Sequence, residues 1–208
     1  MTRSFPLAVA AALLLVLSSP ACGGPAEAPA AEEPADEQPL VGDVTRAAVE
    51  AHRPDWVAAE VEAAPDAAAV QALTAVPPGA RVTVFLGTWC SDSMRELARL
   101  WRGLDDAGVF SEDELPFRLV YVAVDREKEE PSGRAQAAGL EYVPTFVVTR
   151  DGEEVGRMVE VSPGGIEHDL LALLSGQASG VISAREDLAG AGAADPTSNA
   201  AADPADSP

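Results

Sequence analysis

The sequence predicts an α/β fold built on a central sheet, and three observations carry that expectation. Arg81–Gly87 and Phe117–Val124 read as buried strands. Between them, Ser91–Ala107 places Met94, Leu97, Ala98, Trp101 and Leu104 at helical spacing. After them, Thr145–Thr149 and Glu154–Val161 flank Asp151-Gly152, a dipeptide that turns one strand back on another.

The remaining elements follow in order. Val44–His52 is a short helix ended by Pro54, and Asp66–Val76 is an Ala-rich helix with Pro65 just before it. The helix after the first strand shows a second face of Arg95, Glu96, Arg99, Arg102 and Asp105, and Gly108 is its stop. Ser132–Ala138 suggests a short helix, and Ile166–Leu174 a final amphipathic one. The order is helix, strand, helix, strand, helix, hairpin, helix, with no internal repeat.

The ends of the chain differ in character. Arg3 followed by the apolar run Phe5–Leu17 reads as an export leader over residues 1–21, too short to span a bilayer comfortably. Ser18-Ser19-Pro20-Ala21 before Cys22 resembles a bacterial lipoprotein signal, in which that cysteine becomes the lipidated first residue. The match is imperfect, because Ser19 stands where Leu is usual; ordinary cleavage and an uncleaved anchor remain alternatives. Residues 22–63 read as an anchor cysteine and an acidic Pro/Ala-rich linker with a short helix. Residues 64–175 are the domain and 176–208 a disordered tail. Gly, Pro, Ala and acidic residues bury too little to offset ordering entropy. Whether residues 40–63 pack on the domain stays open, since Trp56 and Val57 could cover an edge strand.

The formal net charge of −20 argues against nucleic acid as a partner. Membrane contact is expected through a lipid on Cys22, on an exported protein facing the periplasm or cell surface. A monomer is expected. With two cysteines in unlike contexts, Cys22 and Cys90, a disulfide scaffold is excluded.

The chemistry concentrates in Thr88-Trp89-Cys90-Ser91-Asp92-Ser93. A strand runs into a loop, and the cysteine opens a helix. Free N–H groups and the helix dipole at that end favour a thiolate. Ser93 could add a hydrogen bond to the sulfur, and Asp92 would oppose the thiolate. Val143-Pro144-Thr145 stands just before the first strand of the hairpin. Strand, Trp-Cys-x-x-Ser, helix, strand, helix and then Val-Pro-Thr opening a hairpin resembles the thioredoxin superfamily. More narrowly, it resembles a bacterial thioredoxin-like subgroup with a Trp-Cys-x-Asp-Ser loop. The resemblance covers about half the chain. It implies a central mixed sheet with helices on both faces, a cis proline at Pro144 beside the sulfur, and a Val143 backbone that pairs with an extended substrate. Two departures go together. Ser93 replaces the resolving cysteine, and Val84 replaces the buried acid that helps deprotonate it.

The expected function is therefore envelope thiol–disulfide exchange by a monothiol centre, acting on protein or small-molecule disulfides. Cys90 is the nucleophile, Ser93 its support, Trp89 a platform, and Val143 and Pro144 the docking site. An exchange through a mixed disulfide could not be resolved within the domain. The alternative is a non-cycling peptide-binding or chaperone module. A sulfenic-acid sensor would need a proton-handling partner that the sequence does not offer. No metal, nucleotide or flavin site is indicated, so no cofactor is expected. Trp101 reads as core, and His52 and His168 as surface. Asp125 ends a strand where such sheets place ligands or is a surface charge, and Glu141 and Tyr142 could border a peptide groove.

Overall fold

The computed structural model describes residues 38–188. The leader, Cys22, the linker up to residue 37 and the tail from residue 189 lie outside the described residues. In chain order the elements are β1 (Gly42–Val44), α1 (Arg46–His52), α2 (Pro54–Glu62), α3 (Ala67–Leu73), β2 (Ala80–Leu86), α4 (Ser91–Asp106), β3 (Arg118–Ala123), α5 (Arg134–Ala137), β4 (Thr145–Arg150), β5 (Glu153–Val159), α6 (Ile166–Leu174) and β6 (Gly180–Ile182). A 3-10 turn at Glu112–Glu114 follows α4.

The six strands form one mixed sheet in the order β1-β3-β2-β4-β5-β6. β2 and β3 run parallel with Val84 beside Tyr121, joined by a crossover through α4. β4 lies antiparallel to β2, with Val84 beside Phe146, and β5 antiparallel to β4. Asp151 and Gly152 both take positive φ, 54° and 86°, as a two-residue hairpin turn requires. Helix α4 stops at Gly108 as predicted, where the Val109 N–H returns to the Leu104 carbonyl at 2.9 Å.

Strand side chains alternate between two cores of unequal size. One face carries Val82, Val84, Leu86, Tyr121, Phe146, Val148 and Met158, covered by Val49, Trp56, Leu73, Leu97, Trp101 and Leu170 from the helices. The other carries Phe85, Val122, Val124 and Val147, and meets Ala135 of α5 together with Trp89 and Cys90. The loop that carries Trp89 and Cys90 thus closes the smaller core.

The packed body reaches past 64–175 at both ends. β1 pairs antiparallel with β3, and β6 pairs parallel with β5. Pro54 does end α1, but it also opens α2 as its first residue, a position where a missing N–H costs nothing. Trp56 of α2 is fully buried against Trp101, with ring centroids 5.8 Å apart. The Trp101 indole N–H donates to the Tyr121 hydroxyl at 2.9 Å, so Trp101 is core. Residues 40–63 therefore pack on the domain.

The polar face of α4 is partly buried. Glu96 is buried, and burial raises its pKa, against the Arg95 guanidinium. Arg99 grips the fully buried Glu167 of α6 at 2.5 and 2.8 Å, and the Asp66 N–H donates to the same carboxylate at 2.6 Å. Burial works against that charge, but the Arg99 and Asp66 hydrogen bonds outweigh it and hold Glu167 below the usual carboxylate range.

Candidate functional site

β2 delivers the chain to the loop at Gly87, and α4 begins at Ser91. The Cys90 N–H donates to the Gly87 carbonyl at 2.9 Å, closing a tight turn. The Cys90 carbonyl accepts the Met94 N–H at 3.1 Å, the first turn of the helix. Cys90 occupies the N-cap position, and its side chain caps no helix N–H. The thiol is half-buried, and it is the only free thiol among the described residues.

The Trp89 indole folds back over Gly87. A Cβ at residue 87 would come within 2.7 Å of the ring, so only glycine fits beneath it. The indole N–H donates to the Val124 carbonyl at 3.2 Å, which fixes the ring plane against the end of β3. Trp89 thus both packs and presents a surface.

Ser93 is fully buried. Its hydroxyl oxygen accepts the Gly87 N–H at 3.2 Å, and no bond links it to the sulfur. The expected hydrogen bond from Ser93 to Cys90 is replaced by this one. The reason is local: Gly87 lies just past the end of β2, where its N–H has no ladder partner and needs an acceptor. Asp92 is paired with Arg95 at 2.8 Å, so the charge expected to oppose a thiolate has a counter-ion.

From the other side comes the loop before β4. The Val143–Pro144 peptide bond is cis, and Val143 and Pro144 are buried. The Cys90 thiol donates to the Val143 carbonyl, with Sγ 3.2 Å from the oxygen. A cysteine at the head of the crossover helix therefore faces a cis proline at the head of the hairpin, across two neighbouring strands of a mixed sheet. The fold is thioredoxin-like. No family model and no curated protein matches the chain. Among solved structures it is similar to a protein of unknown function from Pseudomonas aeruginosa, at 19% identity over 66% of this chain and 94% of that one, with a TM-score of 0.48. It is also similar to thioredoxin 2 of Pseudomonas aeruginosa in its reduced form (23%, 56% and 94%, 0.32). A third likeness is to a yeast mitochondrial 1-Cys peroxiredoxin (19%, 56% and 97%, 0.35).

Each site loop of this thioredoxin-like chain is held by one end of the described body. The N-terminal segment holds Thr88, which is buried: its carbonyl accepts Arg53 Nη1, and its hydroxyl accepts the Leu40 N–H at 3.2 Å. Asp55 aims Arg53 through a two-pronged contact at 2.9 and 2.5 Å. The C-terminal segment holds the other loop. The Arg185 guanidinium lies 4.0 Å from the Tyr142 ring centroid and pairs with Glu160 at 3.1 Å. The Glu160 N–H donates to the Pro144 carbonyl at 2.7 Å. Arg53, Leu40 and Arg185 are neighbours of the two candidate-site loops that sequence reasoning missed. The only local signal was Arg53-Pro54-Asp55, a charge pair across a proline.

The loop after β3 is self-contained. Asp125 accepts the Glu129 N–H at 2.8 Å. Buried Glu130 caps α5, accepting the Ser132 N–H and hydroxyl at 2.7 and 2.6 Å, the Ala135 N–H at 3.2 Å and the Arg134 N–H. Burial would raise its pKa, yet these bonds prevail and bring it down to about 2. Glu141 is exposed, and His168 sits on the surface 3.4 Å from Asp66. Among the described residues, no group of three or more His, Cys, Asp or Glu could hold a metal ion.

Proposed function

We propose that this protein carries out thiol–disulfide exchange in the cell envelope through Cys90 as a monothiol centre, held at the membrane through Cys22. The observation that supports the chemistry is the half-exposed Cys90 thiol at the head of α4, 3.2 Å from the carbonyl that precedes cis Pro144. The leader and the residues before Cys22 support the location.

In the proposed step the Cys90 proton leaves to solvent. The thiolate attacks one sulfur of R–S–S–R, a Cys90–S–S–R bond forms, the substrate S–S bond breaks, and R–S⁻ departs and is protonated. A second thiol, R′–SH, then attacks the mixed disulfide, releasing R–S–S–R′ and restoring Cys90. Ser93 keeps the Gly87 turn in shape and takes no part in resolution. In this reading the Val143–Pro144 loop and the plane of Trp89 receive the substrate chain.

The test is intact-mass detection of a mixed disulfide between the reduced protein and a peptide disulfide, followed by release with a second thiol. An adduct that is absent in Cys90→Ser is the expected result. No adduct under conditions where a free cysteine peptide reacts, with peptide binding retained in Cys90→Ser, would replace exchange by the binding-module reading.

A further inference from the structure

The charges around the two site loops narrow the disulfides that Cys90 would accept. Arg53 is committed to Asp55 and the Thr88 carbonyl. Arg95 is committed to Asp92 at 2.8 Å and Glu96 at 3.3 Å, and Arg185 to Glu160 at 3.1 Å and Asp187 at 2.8 Å. Arg126 differs from all three. It is exposed, and among the described residues it forms no ion pair. Its guanidinium carbon lies 5.3 Å from the centroid of the Trp89 ring.

The placement has a chemical use. Trp89 adjoins Cys90, and its plane is fixed by Gly87 beneath it and by the Val124 carbonyl at its edge. A guanidinium resting on that plane is oriented by the ring face, while its N–H groups point outward from its own edge. Such an edge accepts a carboxylate in a two-pronged contact. No acid of the same loop is within ion-pair distance of it among the described residues, and Asp125 and Glu130 accept backbone N–H groups instead.

We infer that Arg126 selects disulfides bearing a carboxylate close to the reacting sulfur. The inference rests on the exchange reading of Cys90. In the attack already described, the half that becomes bonded to Cys90 places its carboxylate against Arg126, so the contact strengthens as the Cys90–S–S–R bond forms. The chain as a whole is acidic, and its distant charges oppose any anion. The local contact is therefore read from how rate ratios change with residue 126, at about 0.3 M salt, where the distant charges are screened.

The experiment measures second-order rates of Cys90 in the full mature chain with three disulfides of similar size. These are dithiodiglycolate (anionic), 2-hydroxyethyl disulfide (neutral) and cystamine (cationic). Arg126→Gln should lower the anionic-to-neutral ratio about threefold and Arg126→Glu about tenfold, the range expected for one charge pair near a protein surface. Arg126→Lys should keep most of it. The neutral rate should stay within about twofold. An unchanged ratio in Arg126→Glu, or an equal fall in all three rates, would overturn the inference and leave exchange standing. No reaction with any of the three would overturn the exchange reading itself.

Discussion

Replacing Trp56 by alanine should cost about 1–3 kcal/mol of folding free energy. The side chain is fully buried on Trp101, and truncating such a residue typically costs about 3–5 kcal/mol through lost burial and the cavity left behind. One term offsets this. The Trp56 indole N–H is buried without a hydrogen-bond partner, and removing an unsatisfied donor relieves about 1–3 kcal/mol. The balance corresponds to a fall in Tm of roughly 3–9 °C at about 3 °C per kcal/mol for a domain of this size. Trp56→Phe separates the two terms: it keeps most of the buried ring and removes the N–H, and should cost about 1 kcal/mol or less. Urea titration followed by circular dichroism reads both variants. A Trp56→Ala protein within about 0.5 kcal/mol of the parent would mean that α2 does not belong to the cooperative unit. A Trp56→Phe cost of about 2 kcal/mol or more would show that the lone N–H carries no penalty, since that variant keeps most of the ring and loses only the donor.

Other outcomes can be checked with the same material. Glu167→Ala should destabilise by about 1–3 kcal/mol, because the Asp66 N–H and the Arg99 guanidinium lose their buried acceptor while the partly exposed Arg99 stays hydrated; a urea midpoint close to the parent would refute this. Ser93→Ala should cost about 1–3 kcal/mol by orphaning the Gly87 N–H, with Cys90 still labelled by iodoacetamide. Gly87→Ala should displace the Trp89 ring and cost about 1–3 kcal/mol by overpacking, visible as a shift in tryptophan emission. Two carboxyls should give stability opposite pH dependences. Glu130, held down at about 2, contributes stability that is present above about pH 4.5 and lost as pH falls toward 2. Glu60 is pushed up to about 7 by burial, which outweighs Arg46 while Glu50 and Asp105 crowd the same guanidinium. Its contribution is full below about pH 4.5 and lost as pH rises through 7, so Glu60→Gln should flatten Tm between those values.

The sheet and the reactive loop were legible because each carries its own local pattern. Val82, Val84 and Leu86 alternate in a strand buried on both faces, and Asp151-Gly152 has little choice but to turn. What stayed hidden depends on partners far away in the chain. β1 and β6 are three residues each, too short for a periodic signal, and exist because β3 and β5 offer them edges. Pro54 reads in the sequence only as an end, and its second role, opening α2, shows only once Trp56 is seen to be buried. Glu96 stands with charged residues on the second face of α4, and only tertiary packing shows it to be buried. Ser93 stands one helical turn after Cys90, yet its bond goes to a backbone N–H that only the loop geometry leaves unpaired.

The two clamps, Arg53 and Leu40 on Thr88 and Arg185 on Tyr142, bear on how the protein should be trimmed. Cutting at 64 and 175 would keep β2 to β5 with α4 and α6, hence nearly all the material that secondary-structure signals mark as a domain. It would also release both loops that meet at the sulfur. Such a fragment could retain the spectrum of a folded protein while its thiol and its proline-loop carbonyl sampled many separations instead of one. Foldedness and reactivity would then part company, and a minimal core chosen for crystals would be the wrong object for kinetics.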